Sequence, residues 1–252
     1  MLIRYSLLLL AFISSTVLAE TLPQAIRTIE ARGVSIAGEF DAPGGLKGYA
    51  AEYQGQGMLL FLTADGQHVI SGRMFDAKGN DESREVLERL VFAPMGKKMW
   101  KRMETSNWVS DGSSTAPRKI YVFSDANCPY CTAFWNKSRP WVDSGKVEVR
   151  HILLGIIKAD SSAKAATIMA SADPAKTLHD HEAAGKSSGL KAMTKIPADV
   201  QKKLDDNMAL AEEMGVSATP AIFYMGDDGR LEQQQGVPQS DSDLEKILGA
   251  KP

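Results

Sequence analysis

Alternating apolar and polar positions in the first part of the chain predict one helix followed by a small sheet. Residues 21–33 place Ile26 and Ile29 on one helical face, with a proline near the start and a glycine at the end. Strand-like segments follow at residues 34–40, 46–53, 58–63 and 68–74, and the pair Asp65-Gly66 indicates a hairpin between the last two. We expect residues 20–80 to form a small domain whose open strand edges favour dimerisation.

Two segments with helical spacing come next, and we assign residues 81–110 as a linker helix region. The first, residues 82–90, carries charged residues on its outer face, so it fits either a spacer helix between two domains or an ordinary amphipathic core helix. The second, residues 97–106, aligns Met99, Trp100 and Met103 on one apolar face. Such a stripe indicates packing in a core.

The remainder, residues 111–252, alternates strands and helices and predicts an α/β layering. Residues 120–123 are short and apolar, and residues 147–157 are long and almost continuously apolar, as a strand buried on both faces would be. The helix after Cys131 is expected to be interrupted by Pro140. Residues 160–214 read as a helical insertion, and strands at 219–225 and 231–236 with a helix at 241–248 complete this predicted domain.

The first 19 residues have the layout of a secretory signal peptide. Arg4 supplies a positive charge, an apolar run follows, and Val17-Leu18-Ala19 provides small residues where cleavage is decided. The apolar run is too short for a membrane-spanning helix. We therefore expect cleavage after Ala19 and export to an oxidising compartment.

Charge and cysteine content narrow the function further. The chain has 29 Lys and Arg against 31 Asp and Glu, so it lacks the excess positive charge that would attract nucleic acid. Its only two cysteines are Cys128 and Cys131, and a disulfide across so short a loop stabilises a fold little. A zinc site would need two further ligands, and no other cysteine exists. We expect no metal and no cofactor.

The motif Cys128-Pro129-Tyr130-Cys131 instead predicts a redox-active dithiol. It follows a run of β-formers. Pro129 suits the first turn of a helix, because the N–H that proline lacks would have no intrahelical partner there. The two sulfurs share one face of that turn and can form a disulfide. Cys128 lies at the helix N-terminus, which favours a thiolate. We expect Cys128 to be the exposed nucleophile and Cys131 the resolving thiol.

A second motif, Thr219-Pro220, precedes an apolar strand about 90 residues later. A proline at that position is consistent with a cis peptide bond at a tight turn. With the cysteine motif and the signal peptide, it makes the chain resemble the DsbC/DsbG family of periplasmic thiol:disulfide interchange proteins. The resemblance covers essentially the whole mature chain and includes the segments at residues 40–49, 99–100 and 139–147.

The resemblance implies an α+β protein of two domains that forms a V-shaped homodimer. A small cystatin-like N-terminal domain dimerises, a linker helix follows, and a thioredoxin fold with a helical insertion carries the redox site. It also implies that Pro129, Tyr130, Thr219 and Pro220 shape the substrate groove. One departure is Asn127, where relatives often have an aromatic residue before the first cysteine.

The same resemblance implies the reaction and the partners. Members reduce or isomerise disulfides of periplasmic clients, reduce sulfenylated cysteines, bind clients as chaperones and are kept reduced by an inner-membrane reductase of the DsbD type. Two alternatives remain open: a DsbA-type dithiol oxidase, and a dimeric chaperone that works without redox turnover. The N-terminal domain argues against the oxidase, which as a monomer has no use for it.

Overall fold

The computed structural model describes residues 21–252, so the predicted signal peptide lies outside the described residues. The chain divides into two compact units that meet in sequence between Leu87 and Glu88. Both units combine helices with sheets, which confirms the two-domain α+β class. None of the helices within residues 21–252 is long and apolar enough to cross a membrane.

The first unit packs one helix on a four-stranded antiparallel sheet. Helix α1 (Gln24–Glu30) precedes strands β1 (Ser35–Asp41), β2 (Lys47–Tyr53), β3 (Gln56–Leu62) and β4 (Val69–Ser71), which lie in the order β1-β2-β3-β4. β4 is shorter than the predicted 68–74 segment. A short helix, α2 (Ser83–Leu87), ends the unit. The core of the unit is formed by six buried side chains: Ile26, Val34, Tyr49, Ala51, Leu60 and Leu62.

The second unit begins with a single π-helical turn (Glu88–Phe92) and helix α3 (Ala93–Glu104). Met103 of α3 is fully buried and Trp100 packs against the same apolar cluster, which confirms the predicted core role of these two residues; Met99, the third residue of the stripe, is half-buried. Residues 88–110 of the expected linker region therefore cluster with the second unit.

A five-stranded sheet forms the centre of the second unit, with strand order β5-β7-β6-β8-β9. Its strands are β5 (Trp108–Asp111), β6 (Arg118–Asp125), β7 (Val147–Leu154), β8 (Ala221–Met225) and β9 (Leu231–Gln235). The pair β6 and β7 is parallel and every other pair is antiparallel. The side chains of β6 alternate between two cores: Ile120 and Val122 belong to one, and Tyr121 and Phe123 to the other.

Helices cover both faces of this sheet. The first core also contains residues of α4 (Pro129–Asp143) and α8 (Asp241–Leu248), and the second contains residues of α3 and α7 (Ala198–Glu213). Between β7 and β8 the chain forms α5 (Ser161–Met169), α6 (Pro174–Ala184), a 3-10 turn (Gly185–Ser187) and α7. These helices build a third apolar cluster that includes Leu153 at the end of β7.

Two local predictions were wrong. Helix α4 continues through Pro140 to Asp143, because only one backbone N–H is lost and both Trp135 and Trp141 remain anchored in buried positions. Strand β7 ends at Leu154 rather than at residue 157. Gly155 lies directly against Ser162, where a Cβ would collide, so the chain turns there although Ile156 and Ile157 are apolar.

Candidate active site

The predicted redox motif forms the junction between β6 and α4. Cys128 is the N-cap of α4, and Pro129 is the first residue of the helix. The Cys128 N–H donates to the carbonyl oxygen of Asp125 at 2.9 Å, which closes the turn at the end of β6. The Cys131 N–H points toward the Cys128 sulfur at 3.4 Å. The two cysteines therefore share the first turn of the helix, and both are free thiols.

The predicted Thr219-Pro220 motif lies opposite Cys128. The peptide bond between Thr219 and Pro220 is cis, as the sequence suggested. The Cys128 thiol donates to the Thr219 carbonyl oxygen at 3.3 Å. Strand β8 starts immediately afterwards, where Ala221 pairs with Phe123 of β6. The sheet thus brings two segments about 90 residues apart against the same sulfur atom.

The two thiols have opposite pKa shifts. The pKa of Cys128 is lowered to about 6, chiefly because the Cys131 thiol hydrogen-bonds to its sulfur. Burial opposes this effect, but the Thr219 hydroxyl and the backbone N–H groups of Cys131 and Tyr130 add further stabilisation of the thiolate. The pKa of Cys131 is raised well above its ordinary value, first by burial and then by the neighbouring Cys128. Cys128 is therefore the thiolate at neutral pH.

The Thr219 hydroxyl has a specific role in this arrangement. It is buried and makes no hydrogen bond to any group within residues 21–252 while the Cys128 thiol donates to the Thr219 carbonyl. When the thiol loses its proton, that bond is lost and the sulfur becomes an acceptor. The hydroxyl can then donate to the thiolate, and this contact contributes to the lowered pKa of Cys128.

The exposures of the site residues differ from the prediction in one respect. Only 4% of the Cys128 surface is exposed, so the expected open nucleophile is in fact covered. The groups that cover the sulfur are its hydrogen-bond partners, the cis-proline segment and the first turn of α4. Pro129 and Tyr130 are exposed, Tyr130 at 65%. Thr219 and Pro220 are buried.

Asp125 organises the loops around the motif and was missed by sequence reasoning. Its carboxylate is 1% exposed and accepts four hydrogen bonds. Two come from the backbone N–H groups of Ile156 and Ile157, at 2.7 and 3.0 Å. The others come from the Asn127 N–H at 2.8 Å and the Ser161 hydroxyl at 2.7 Å. One buried side chain thus ties the redox loop to the segment that follows β7.

Asn127, the departure from the family pattern, belongs to a second polar cluster on the same side. Its amide NH₂ group donates to Asp160 at 2.9 Å and to the Ser161 hydroxyl at 3.0 Å. Its amide oxygen accepts from the Lys164 ammonium at 2.8 Å, and Lys164 also pairs with Asp160 at 3.1 Å. An amide side chain fits here because the start of helix α5 offers both hydrogen-bond acceptors, Asp160 and Ser161, and a donor, Lys164.

His181 of α6 anchors the redox loop from the insertion. Its Nε2 lies 2.7 Å from the carbonyl oxygen of Ala126, and its Nδ1 lies 2.6 Å from the Ser188 hydroxyl. A carbonyl oxygen can only accept, so Nε2 carries the proton, and in the neutral ring Nδ1 accepts from Ser188. A single histidine therefore connects the residue two before Cys128 to the turn after α6.

A cavity of about 570 Å³ opens beside Cys128, between the redox loop and the insertion. Asn127, Cys128, Pro129 and Thr132 line one side. The rest of the lining comes from the insertion and the segment before it. It combines the apolar Ile157 and Leu190, three lysines (Lys158, Lys164 and Lys186) and the His181 ring. Within residues 21–252, no three His, Cys, Asp or Glu side chains converge as a metal site would require.

Comparison with known proteins agrees with this geometry. A family model described as a thioredoxin-like domain matches residues 112–251. The chain is 60% identical over 233 residues to the thiol:disulfide interchange protein DsbG of Pseudomonas aeruginosa, covering 92% of this chain and 91% of the relative. It is 45% identical over 245 residues to DsbG of Escherichia coli, covering 97% and 98%.

Among solved structures, the catalytic domain of ScsC from Proteus mirabilis has a TM-score of 0.49 and 21% identity, over 62% of this chain and 96% of that one. The resemblance inferred from the sequence motifs and the thioredoxin fold are both confirmed by the family model and the two DsbG relatives. The chain belongs to the DsbG family of thiol:disulfide interchange proteins and is a thiol:disulfide oxidoreductase.

Proposed function

We propose that this protein reduces and isomerises disulfides of periplasmic client proteins, with Cys128 as nucleophile and Cys131 as resolving thiol. The observation that carries the proposal is the opposite shift of the two thiols, with the pKa of Cys128 lowered to about 6 and that of Cys131 raised. Only one of two sulfurs in the same helical turn is then a nucleophile at neutral pH.

The reaction starts when the Cys128 thiolate attacks one sulfur of a client disulfide. A Cys128–client mixed disulfide forms, and the second client sulfur leaves as a thiolate. In isomerisation, a client thiolate attacks the mixed disulfide, forms a different client disulfide and releases Cys128. In reduction, Cys131 loses its proton and attacks the Cys128 sulfur. The client leaves with two thiols, and the protein carries the Cys128–Cys131 disulfide.

Sulfenylated cysteines fit the same pair of sulfurs. The Cys128 thiolate attacks the sulfur of a client S–OH group, the same mixed disulfide forms, and the oxygen leaves as water after taking up a proton. Cys131 then resolves the complex, which releases a client thiol. Each reductive cycle leaves the protein oxidised by two electrons. Recycling requires a dithiol reductant, and the family relationship favours an inner-membrane reductase of the DsbD type.

Pro129, Tyr130, Thr219 and Pro220 are the proposed walls of the client groove. Tyr130 projects from the first turn of α4 with 65% of its surface exposed, and Ile156 and Ile157 add exposed apolar surface. These exposed apolar side chains support chaperone-like binding of partly unfolded clients, which expose apolar segments of their own.

Assembly as a homodimer and export are part of the same proposal. The sheet of the first unit ends in β1 and β4, neither of which pairs with a further strand in residues 21–252. Such edges favour pairing between two copies. Light scattering on the full mature chain should give twice the mass of one chain. Mass spectrometry of the exported protein should place its N-terminus after Ala19.

Trapping experiments test the roles of the two cysteines. Cys131→Ala should accumulate mixed disulfides with clients, because nothing resolves them, whereas Cys128→Ala should accumulate none. Non-reducing electrophoresis of acid-quenched cells measures both. Equal trapping by the two variants would show that the nucleophile is assigned to the wrong sulfur.

The redox state in cells separates the proposed direction from the oxidase. A reductase or isomerase must be held reduced, so alkylation after acid quenching should find both thiols free in most molecules. A largely oxidised pair would instead support a DsbA-type oxidase. If Cys128→Ala preserved every cellular phenotype, a chaperone without redox turnover would be the better description.

A further inference from the structure

We propose that the cavity beside Cys128 binds an acidic side chain of the client, located within a few residues of the client's reactive cysteine. The inference rests on the proposed function and adds a preference among its substrates. It concerns a side of Cys128 that the Thr219-Pro220 segment does not line, where the redox loop faces the helical insertion.

The size and position of the cavity allow a client side chain to enter it beside the reactive sulfur. Its volume of about 570 Å³ is within the range of ordinary ligand sites. Cys128 itself is part of the lining, so any occupant lies next to the reactive sulfur. An extended chain advances about 3.3 Å per residue, so client side chains one to three positions from the attacked cysteine can reach the cavity.

Two cations at the rim have no partner within residues 21–252. Lys158 and Lys186 are exposed, and neither ammonium makes an ion pair or a hydrogen bond in that part of the chain. Lys164, the third lysine of the lining, is already engaged by Asp160 and Asn127. The two free ammonium groups come from different segments, one following β7 and one following α6, and both line the same cavity.

The neighbouring acidic groups do not line the cavity. Asp160 is paired with Lys164 at 3.1 Å. Asp125 is buried and its four hydrogen bonds come from loop donors. Glu182 is 2% exposed and accepts from the Thr132 hydroxyl at 2.6 Å. The unpaired charged groups in the cavity lining are therefore the two ammonium groups of Lys158 and Lys186, which favours carboxylate side chains.

Apolar surface adjoins the two lysines. Ile157 is 44% exposed and Leu190 is half-buried, and both line the cavity. A site with a cationic rim and an apolar wall accepts the methylene groups and the carboxylate of Glu together, or Asp beside an apolar residue. A basic client segment would meet unpaired ammonium groups and be disfavoured.

The preference can be measured directly on the first chemical step. The Cys131→Ala protein is mixed with peptides whose single cysteine carries a neutral thiopyridyl leaving group. Three peptides differ only at the positions flanking the cysteine, which are Glu, Gln or Lys. Release of thiopyridone gives the second-order rate constant. For two exposed charge pairs, we expect the Glu peptide to react roughly three- to tenfold faster than the Gln peptide at low salt, and the Lys peptide to react slowest.

Charge-removing variants locate the effect. Lys158→Gln combined with Lys186→Gln should bring the Glu and Gln peptides to within about twofold of each other, the level expected once close charge pairs are lost. A matched control, Lys195→Gln with Lys203→Gln, removes the same net charge from two exposed lysines that do not line the cavity. The control should retain the preference. The rate with hydroxyethyl disulfide, which is small and neutral, is measured for each protein, and peptide rates are divided by it so that any change in the reactivity of Cys128 itself is removed.

The outcomes separate the inference from the function on which it rests. Equal rates for the three peptides, or an acidic preference that survives in the Lys158→Gln, Lys186→Gln protein, would overturn the cavity assignment while leaving the redox role of Cys128 intact. Loss of the preference in the control pair as well would show a long-range field rather than a site. Failure of the parent protein to react with any peptide would instead contradict the proposed function.

Discussion

The redox loop has two neighbouring regions that contact it through different kinds of groups. On one side, the Thr219-Pro220 segment contacts the Cys128 sulfur itself, through the Thr219 carbonyl and hydroxyl. On the other side, the insertion and the segment after β7 contact the residues just before the cysteine. The loop side chains of Asp125 and Asn127 bind the segment after β7, and His181 of α6 binds the loop backbone. The first region therefore tunes the thiolate, and the second holds the loop in position.

The largest expected effect is on the free energy of unfolding, and it concerns the contacts between the redox loop and the residues that follow β7, which we call the insertion side. Asp125→Asn keeps one acceptor oxygen but turns an NH₂ group toward backbone N–H donors, so at least two buried hydrogen bonds are lost. We expect a destabilisation of about 2–4 kcal/mol in urea unfolding. Asp160→Asn, at a partly exposed ion pair, is the control and should cost less than about 1 kcal/mol. Similar losses for both variants would mean that Asp125 does not organise the loop.

The pH dependence of thiol reactivity tests the contacts of the Cys128 sulfur with Cys131 and Thr219, which we call the sulfur side. Because the pKa of Cys128 is lowered to about 6, the thiolate predominates above that pH and is lost as the pH falls below it. Alkylation of Cys128 by iodoacetamide should therefore slow roughly a hundredfold between pH 8 and pH 4, as thiolate chemistry requires. Cys131 should stay unmodified in this range, since its pKa is raised. A midpoint near the ordinary pKa of a thiol would contradict the assignment.

Two substitutions should rank the donors to the thiolate. The Cys131 thiol is the largest stabilising contact and the Thr219 hydroxyl a smaller one. Cys131→Ala should therefore raise the Cys128 pKa more than Thr219→Val does. Reactivity at pH 6 should fall by up to about tenfold for the larger loss, the usual value of a hydrogen bond to a charged group. The order is read from thiolate absorbance titrations, with Thr219→Ser as the variant that retains the hydroxyl.

The smallest expected effect is that of Asn127→Ala. The substitution removes hydrogen bonds to Asp160, Ser161 and Lys164 at a partly exposed position, so we expect a loss of about 1 kcal/mol in unfolding. The Cys128 pKa should change less than in Thr219→Val. A larger shift of that pKa in Asn127→Ala would remove the distinction between the two sides.

The sequence predicted the sulfur side well because its information is local. A Cys-x-x-C motif after a strand, with a proline in the first helical turn, dictates the helix N-terminus at Cys128 from neighbouring residues alone. The cis-proline motif could be matched to it through the family resemblance. The covering of Cys128 could not be predicted, since it arises where β8 is brought beside β6.

The insertion side was hidden because its contacts join residues far apart in sequence. Asp125 binds residues 31 to 36 positions later, and His181 contacts a carbonyl 55 positions earlier. An isolated Asp before a turn is explained equally well by turn propensity. The continuous apolar run at residues 147–157 also concealed the end of β7, which is set by the close approach of Gly155 to Ser162. The pattern of apolar and polar residues along a strand contains no information about such a contact between distant residues.

The high pKa of Cys131 has a consequence for how long a client stays attached. Once Cys128 is in a mixed disulfide, its negative charge is gone, and burial is the effect that still keeps Cys131 protonated. Attack by a thiol in that state is slow, since only its small thiolate fraction reacts. In the proposed reaction, we therefore expect the mixed disulfide to last longer than one that a thiol of ordinary pKa resolves. A slowly reacting Cys131 would then give the client time to rearrange its own disulfides before release in reduced form.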